Sequence, residues 1–294
     1  MREGVPSITA AAVSLFRGIA SLPGSRVDFA NDRGMRALAP APLGAALSVL
    51  GAMTARRPGL HALLAAPTFG LMQHVALRTA AIDAAIRLER IEGIAQLVVL
   101  GAGLDARAFR MGELSETTVI EVDFPSTQAM KRVRARNLTP AARELRWARI
   151  DFEKEALGDV LVRAGHRADL GTVWLWEGVT MYLAPEALEA TLAVVSARSA
   201  PGSTLLMTYA TEDMAAILAG PLAPLEPVVD FAFGLLGEPL RGRMSRATAR
   251  ARLDAHGFDV VSDSGATEWA REHLRGASSR MTIGERLVRA VRRP

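Results

Sequence analysis

The stretch Gln96-Leu-Val-Val-Leu-Gly-Ala-Gly-Leu-Asp-Ala106 decides the fold. Gln96 to Leu100 is an almost fully apolar run, as a central parallel strand buried on both faces requires. Gly101 and Gly103 follow at once, and a helical stretch begins behind them. Glycines in that place let backbone approach a ligand closely, and the helix N-terminus offers free N–H groups. About twenty residues on, Thr118-Val-Ile-Glu-Val122 reads as a second strand. Glu121 and Asp123 sit at its end, where a ribose-binding carboxylate belongs in a doubly wound fold.

The same alternation continues outward. Trp147 to Ile150, Gly171 to Trp176 and Ser203 to Thr208 read as further strands. Pro185 suits the first turn of a helix that carries Leu188, Leu192 and Val195 on one face. Ala249 to His256 reads as a helix ended by Gly257. Two late strands follow, Phe258 to Val261 and Glu285 to Val291. This βαβ pattern predicts a doubly wound, mostly parallel α/β sheet. Residues 1–90 read as a helical N-terminal region, with helices over 8–19 and 72–88. Residues 91–294 form the core, interrupted by a helical cap insertion around 211–248.

Composition narrows the class. The chain has 294 residues, half of them hydrophobic and 22% charged, which is globular rather than disordered. Cysteine is absent, so disulfides, zinc–thiolate sites and thiol nucleophiles are excluded. The five histidines have no metal-ligand spacing, and no metal is expected. The net charge of +4 is weak ground for nucleic-acid binding. Ala37 to Ala55 carries no charge, yet it contains Pro40, Pro42, Gly44 and Gly51 and reads as a buried or cleft-lining helical region. The N-terminus lacks the apolar core of a signal peptide. The expectation is a cytoplasmic protein with a small-molecule acceptor, no nucleic acid and no membrane, and with a homodimer left open.

Taken alone, the glycine turn matches the dinucleotide fingerprint G-x-G-x-x-A equally well. Charge separates the two readings. Asp105 lies inside the turn and would repel a pyrophosphate, whereas S-adenosylmethionine carries a sulfonium and an ammonium. Asp105 reads equally as a cap for the following helix.

Three blocks together carry a family resemblance: Gly101-Ala-Gly-Leu-Asp-Ala-Arg-Ala-Phe-Arg110, Glu121-Val-Asp-Phe-Pro125, and Trp176-Glu-Gly-Val-Thr-Met-Tyr-Leu183 with Pro185. The chain resembles the leucine carboxyl methyltransferase-like family over about residues 7–290, in particular its bacterial secondary-metabolism branch. That likeness implies a seven-stranded Rossmann-like methyltransferase sheet and S-adenosyl-L-methionine as cofactor. It implies that Arg78 pairs with the cofactor carboxylate, and that Gly101 and Gly103 lie against the ligand. Asp123, or else Glu121, would take the ribose hydroxyls. Asp151 and Phe152 would meet the adenine, and Glu177 the amino-acid moiety. The reaction implied is methyl transfer to a carboxylate or hydroxyl oxygen, on a polyketide or other secondary metabolite.

On the acceptor side, Tyr182 and Tyr209 each follow a strand end and could orient an acceptor or simply fill core. Arg241 and Arg243 could pair with an anionic substrate or stand in solvent. The apolar runs Ile217–Leu222 and Val228–Leu236 suggest a hydrophobic acceptor pocket or ordinary cap packing. Two other readings stay open at this point: an NAD(P)-dependent oxidoreductase, and a non-catalytic S-adenosylmethionine-binding protein.

Overall fold

A computed structural model describes residues 8–27, 36, 38–39, 41–68, 70–91, 93–151, 154–212, 242–276 and 284–294. Seven strands form one sheet: β1 (Gln96–Leu100), β2 (Thr118–Asp123), β3 (Glu144–Arg149), β4 (Thr172–Trp176), β5 (Thr204–Ala210), β6 (Phe258–Gly265) and β7 (Glu285–Arg292). Their order is β3-β2-β1-β4-β5-β7-β6. The first five run parallel, and β7 runs antiparallel between β5 and β6. The order reverses between β1 and β4, and open α/β sheets bind ligands beyond the strand ends at such a switch point.

The helices are α1 (Ile8–Ala20), α2 (Ala41–Arg56), α3 (Gly59–Ala65), α4 (Leu71–Ile91), α5 (Arg107–Arg110), α6 (Pro125–Ala135), α7 (Leu157–Arg163), α8 (Pro185–Ala197), α9 (Arg246–Ala255) and α10 (Ala266–His273). Side chains alternate across each strand, so β1 feeds both faces of the sheet. Leu97 and Val99 join Leu77, Ile82 and Ile86 of α4 on one face. Val98 and Leu100 join Leu188, Leu192 and Val195 of α8 on the other. Local signals set the helix ends: Pro185 starts α8, the Ser245 hydroxyl caps α9 by accepting from Thr248 N at 3.1 Å, and Gly257 follows α9 at φ +77°.

Three expectations need correction. β3 begins at Glu144, not Trp147, because β3 is an edge strand, where charged residues such as Glu144 and Arg146 are tolerated and hide the apolar pattern. β6 runs on to Gly265 through Ser262, Asp263 and Ser264, with a bulge between Val260 and Ser262, for the same edge-strand reason. The uncharged segment near 37–55 does hold a helix, α2, but its outer face is exposed rather than buried, with Val49 at 61% and Met53 at 47%. The helical cap expected around 211–248 falls largely in 213–241, outside the described residues, and Phe152, Arg241 and both apolar runs of the insertion also lie outside them.

Candidate functional site

The glycine turn after β1 folds back on β2. Gly101 N and Ala102 N donate to the Val122 carbonyl at 2.9 and 3.0 Å. Gly101 and Gly103 adopt φ +67° and +49°, the left-handed region that glycine enters without penalty. A Cβ on Gly101 would stand 2.5 Å from Val179 Cγ2, so the turn also lies close against the segment after β4. The Gly103 N–H donates to the Asp123 carboxylate, and Phe124 N donates to its other oxygen at 2.6 Å. Asp123 is buried, and burial pushes its carboxyl up against the pull of those two N–H groups.

Beneath the turn lies a buried charge cluster. Glu177, directly after β4, accepts from Arg17 of α1, from Arg78 Nε at 2.9 Å, and from Arg107 Nη1 at 2.7 Å. Arg107 also bonds Asp83 of α4 at 2.8 Å and pairs with Asp105. Arg110 lies 2.6 Å from Asp83. Arg78 Nη1 donates to both carboxylate oxygens of Glu285 at the start of β7, 2.9 Å to each. His74, one turn before Arg78 on α4, lies 2.8 Å from Glu285 through Nε2. Four guanidinium groups thus face four carboxylates in the interior, which is how buried charge is tolerated.

The charges tune one another. Burial alone would raise the Glu177 carboxyl, but Arg17, Arg107 and Arg78 hold it well below the usual carboxylate range. Burial is likewise outweighed at Asp83 by Arg110 and Arg107, and at Asp105 by Arg107 and Arg17. Arg78 and His74 draw Glu285 down to about 2 against its burial. A depressed native pKa contributes stability above the unfolded value that is lost as pH falls toward the native value. Stability is therefore expected to drop from about pH 4.5 toward pH 2, with Glu285 alone contributing on the order of 3 kcal/mol. Thermal melts across that range test this. An unchanged melting temperature down to pH 3 would contradict it.

The site residues expected from sequence separate into groups. Arg78, Asp105 and Glu177 meet in the cluster, and Gly103 meets Asp123. Asp105, one residue before the N-cap Ala106, also accepts from Arg107 N at the start of α5 through Oδ1 at 2.7 Å. Glu121 pairs with Lys131 of α6 at 2.5 Å. Burial pushes its carboxyl up to about 7 despite Lys131. Asp151, beyond the end of β3, lies 3.1 Å from Lys154. Tyr182 closes a short 3-10 turn, Thr180–Tyr182, and is near enough to Arg78 to favour its charge. Tyr209 corrects the expectation for its position: it lies within β5, fully buried, and its hydroxyl donates to Asp263 of β6 at 2.8 Å. Arg243 pairs as an isolated bridge with Ala210 at the end of β5.

Sequence reasoning missed Arg17, His74, Asp83, Arg107 and Glu285. Arg107 and Asp83 had a signal: Arg107 stands two residues after Asp105, and Asp83 interrupts the apolar stripe of α4. Arg17 and Glu285 had none, because each joins the cluster from a distant part of the chain.

The reversal at β1/β4, a left-handed glycine turn and an acid closing onto it from β2 define a doubly wound, Rossmann-like protein. The leucine carboxyl methyltransferase family model matches residues 20–196, and the chain belongs to that family. A "Putative S-adenosyl-L-methionine-dependent methyltransferase" of Mycolicibacterium gilvum is 35% identical over 213 residues, which cover 70% of this chain and 61% of that one. The chain spans about half to three-fifths of the length of several curated relatives it matches. Two crystal structures share the fold at 15% identity. A DUF574 family protein from Streptomyces avermitilis superposes with a TM-score of 0.58 over 96% of this chain and 97% of that one. A "putative methyltransferase" from Thermobifida fusca gives 0.55 over 99% and 97%.

Proposed function

We propose that this protein is an S-adenosylmethionine-dependent O-methyltransferase acting on a small organic acceptor. The observation that carries the reading is the charge around the glycine turn. Asp105, Asp123 and Glu177 surround it with carboxylates, and Arg78 reaches the same place. A zwitterionic sulfonium nucleoside suits the set: Asp123 for ribose hydroxyls, Glu177 for the ammonium and Arg78 for the carboxylate. Family membership and the cited relative's name support the same assignment.

The bound cofactor would supply an already activated methyl group, so the chain's own residues have mainly to bind, align and exclude water. Gly101 and Gly103 admit close backbone approach, while α1, tied down through Arg17, covers the site. The favoured acceptor is a carboxylate. Among the described residues of the cluster every carboxylate faces an arginine, and His74 has Nε2 on Glu285 and its ring against Trp269 at 5.6 Å. The carboxylates of the cluster are thus held in ion pairs, and an ionised carboxylate acceptor needs no base at pH 7.

Calorimetry tests the cofactor assignment. S-adenosylhomocysteine is expected to bind saturably, with Asp123→Ala weakening it about 10- to 100-fold through the lost charged hydrogen bonds. NADH or NADPH binding in its place would overturn the reading. With binding established, radiolabelled methyl transfer into paired carboxylic acids and alcohols tests the acceptor. Label entering only the alcohols would refute the carboxylate.

A further inference from the structure

We propose that α2 and α3 dock this protein on an anionic lipid surface. The inference is independent of the catalytic reading and rests on an outward face that is apolar where water is expected. On α2, Leu47, Gly51 and Thr54 turn inward, and Leu47 packs where Gly18 of α1 leaves room. The opposite stripe, Ala45, Ala46, Val49, Ala52 and Met53, is exposed at helical spacing. The Ser48 hydroxyl, on the same side, donates to the Gly44 carbonyl at 3.0 Å. After Arg57 and Pro58, α3 repeats the pattern, with Leu63 69% exposed between exposed Ala62 and Ala66. A helix that packs on protein normally keeps its polar residues for the outer face, and two successive helices here do not.

Charge selects the occupant. No aspartate or glutamate occurs from residue 33 to residue 82, in a chain with 31 acids in 294 residues. Arg56 and Arg57 are exposed at the junction of the two helices, and no carboxylate among the described residues pairs with either. A second copy meeting this face through the same face would bring arginines and no acid to answer them. An anionic bilayer offers both an apolar boundary for Val49, Met53 and Leu63 and phosphates for Arg56 and Arg57. The mode is docking at the interface: among the described residues no single helix is long and apolar enough to cross a membrane.

Co-sedimentation with phosphatidylcholine vesicles, and with equal parts phosphatidylcholine and phosphatidylglycerol, tests the proposal. The protein is expected to pellet with the anionic vesicles and to be released as salt is raised. Arg56→Gln with Arg57→Gln should weaken binding about 30-fold, from the contribution of each cation near a charged surface. Met53→Glu with Leu63→Glu should abolish it while the melting temperature stays near wild type, since both side chains are exposed. Failure to pellet with either vesicle overturns the proposal, as does pelleting unchanged by the Glu pair. A wild-type dimer in light scattering that the Glu pair converts to monomer would assign the face to a second copy instead.

Discussion

Replacing Arg107 by methionine is expected to leave little or no soluble protein. Arg107 is 1% exposed and is shared by Asp83, Asp105 and Glu177, from α4, the glycine turn and the segment after β4. Methionine fills similar volume, so packing is approximately kept and the effect isolates charge. Three buried carboxylates would lose a common partner at once. Breaking a single buried pair from one side costs about 3–5 kcal/mol, and a whole domain is stable by only about 5–15 kcal/mol. Any folded fraction should melt at least roughly 10 °C lower. Arg107→Lys should fall between the two, because it keeps the charge but cannot fork to three acids. Recovery of soluble Arg107→Met melting within a few degrees of wild type would mean that the carboxylates are hydrated or protonated, and that the cluster is not the closed network described here.

Glu177→Gln should produce the second-largest loss, and it separates folding from binding. The amide can still accept from one arginine, but the negative charge that balances Arg17, Arg78 and Arg107 is gone. Destabilisation of about 3 kcal/mol or more is expected, or roughly 6–12 °C in melting temperature. Below that melting temperature, calorimetry with S-adenosylhomocysteine should show affinity reduced at least about tenfold, since in the proposed site Glu177 would meet the ligand's ammonium and it pairs with Arg78. A lower melting temperature with unchanged affinity would make Glu177 a structural counter-ion and would remove it from the proposed cofactor site.

Most of the sheet was legible because apolar runs bounded by glycine or proline mark buried parallel strands. Gln96–Leu100 and Thr172–Trp176 are buried at every position and read plainly as strands. The edge strands were read short, since β3 and the far half of β6 expose polar residues and are held by ladder hydrogen bonds that leave little trace in composition. Of the candidate site, the turn, Asp123 and Glu177 were visible because each follows a strand end on the ligand side.

The sequence by itself determined a glycine-bearing turn after a buried strand, an acid at the end of the next, and therefore a doubly wound sheet. Those features are local, written in periodicity and in the backbone freedom of particular residues. Only the tertiary structure decided that Glu177 is shared by arginines from α1, α4 and α5, that Glu285 braces Arg78 from the far end of the chain, and that Glu121 pairs with Lys131. Pairings between residues 70 to 207 positions apart have no local signature. They arise when strand order and helix packing bring distant charges into one interior where none could stay unpaired.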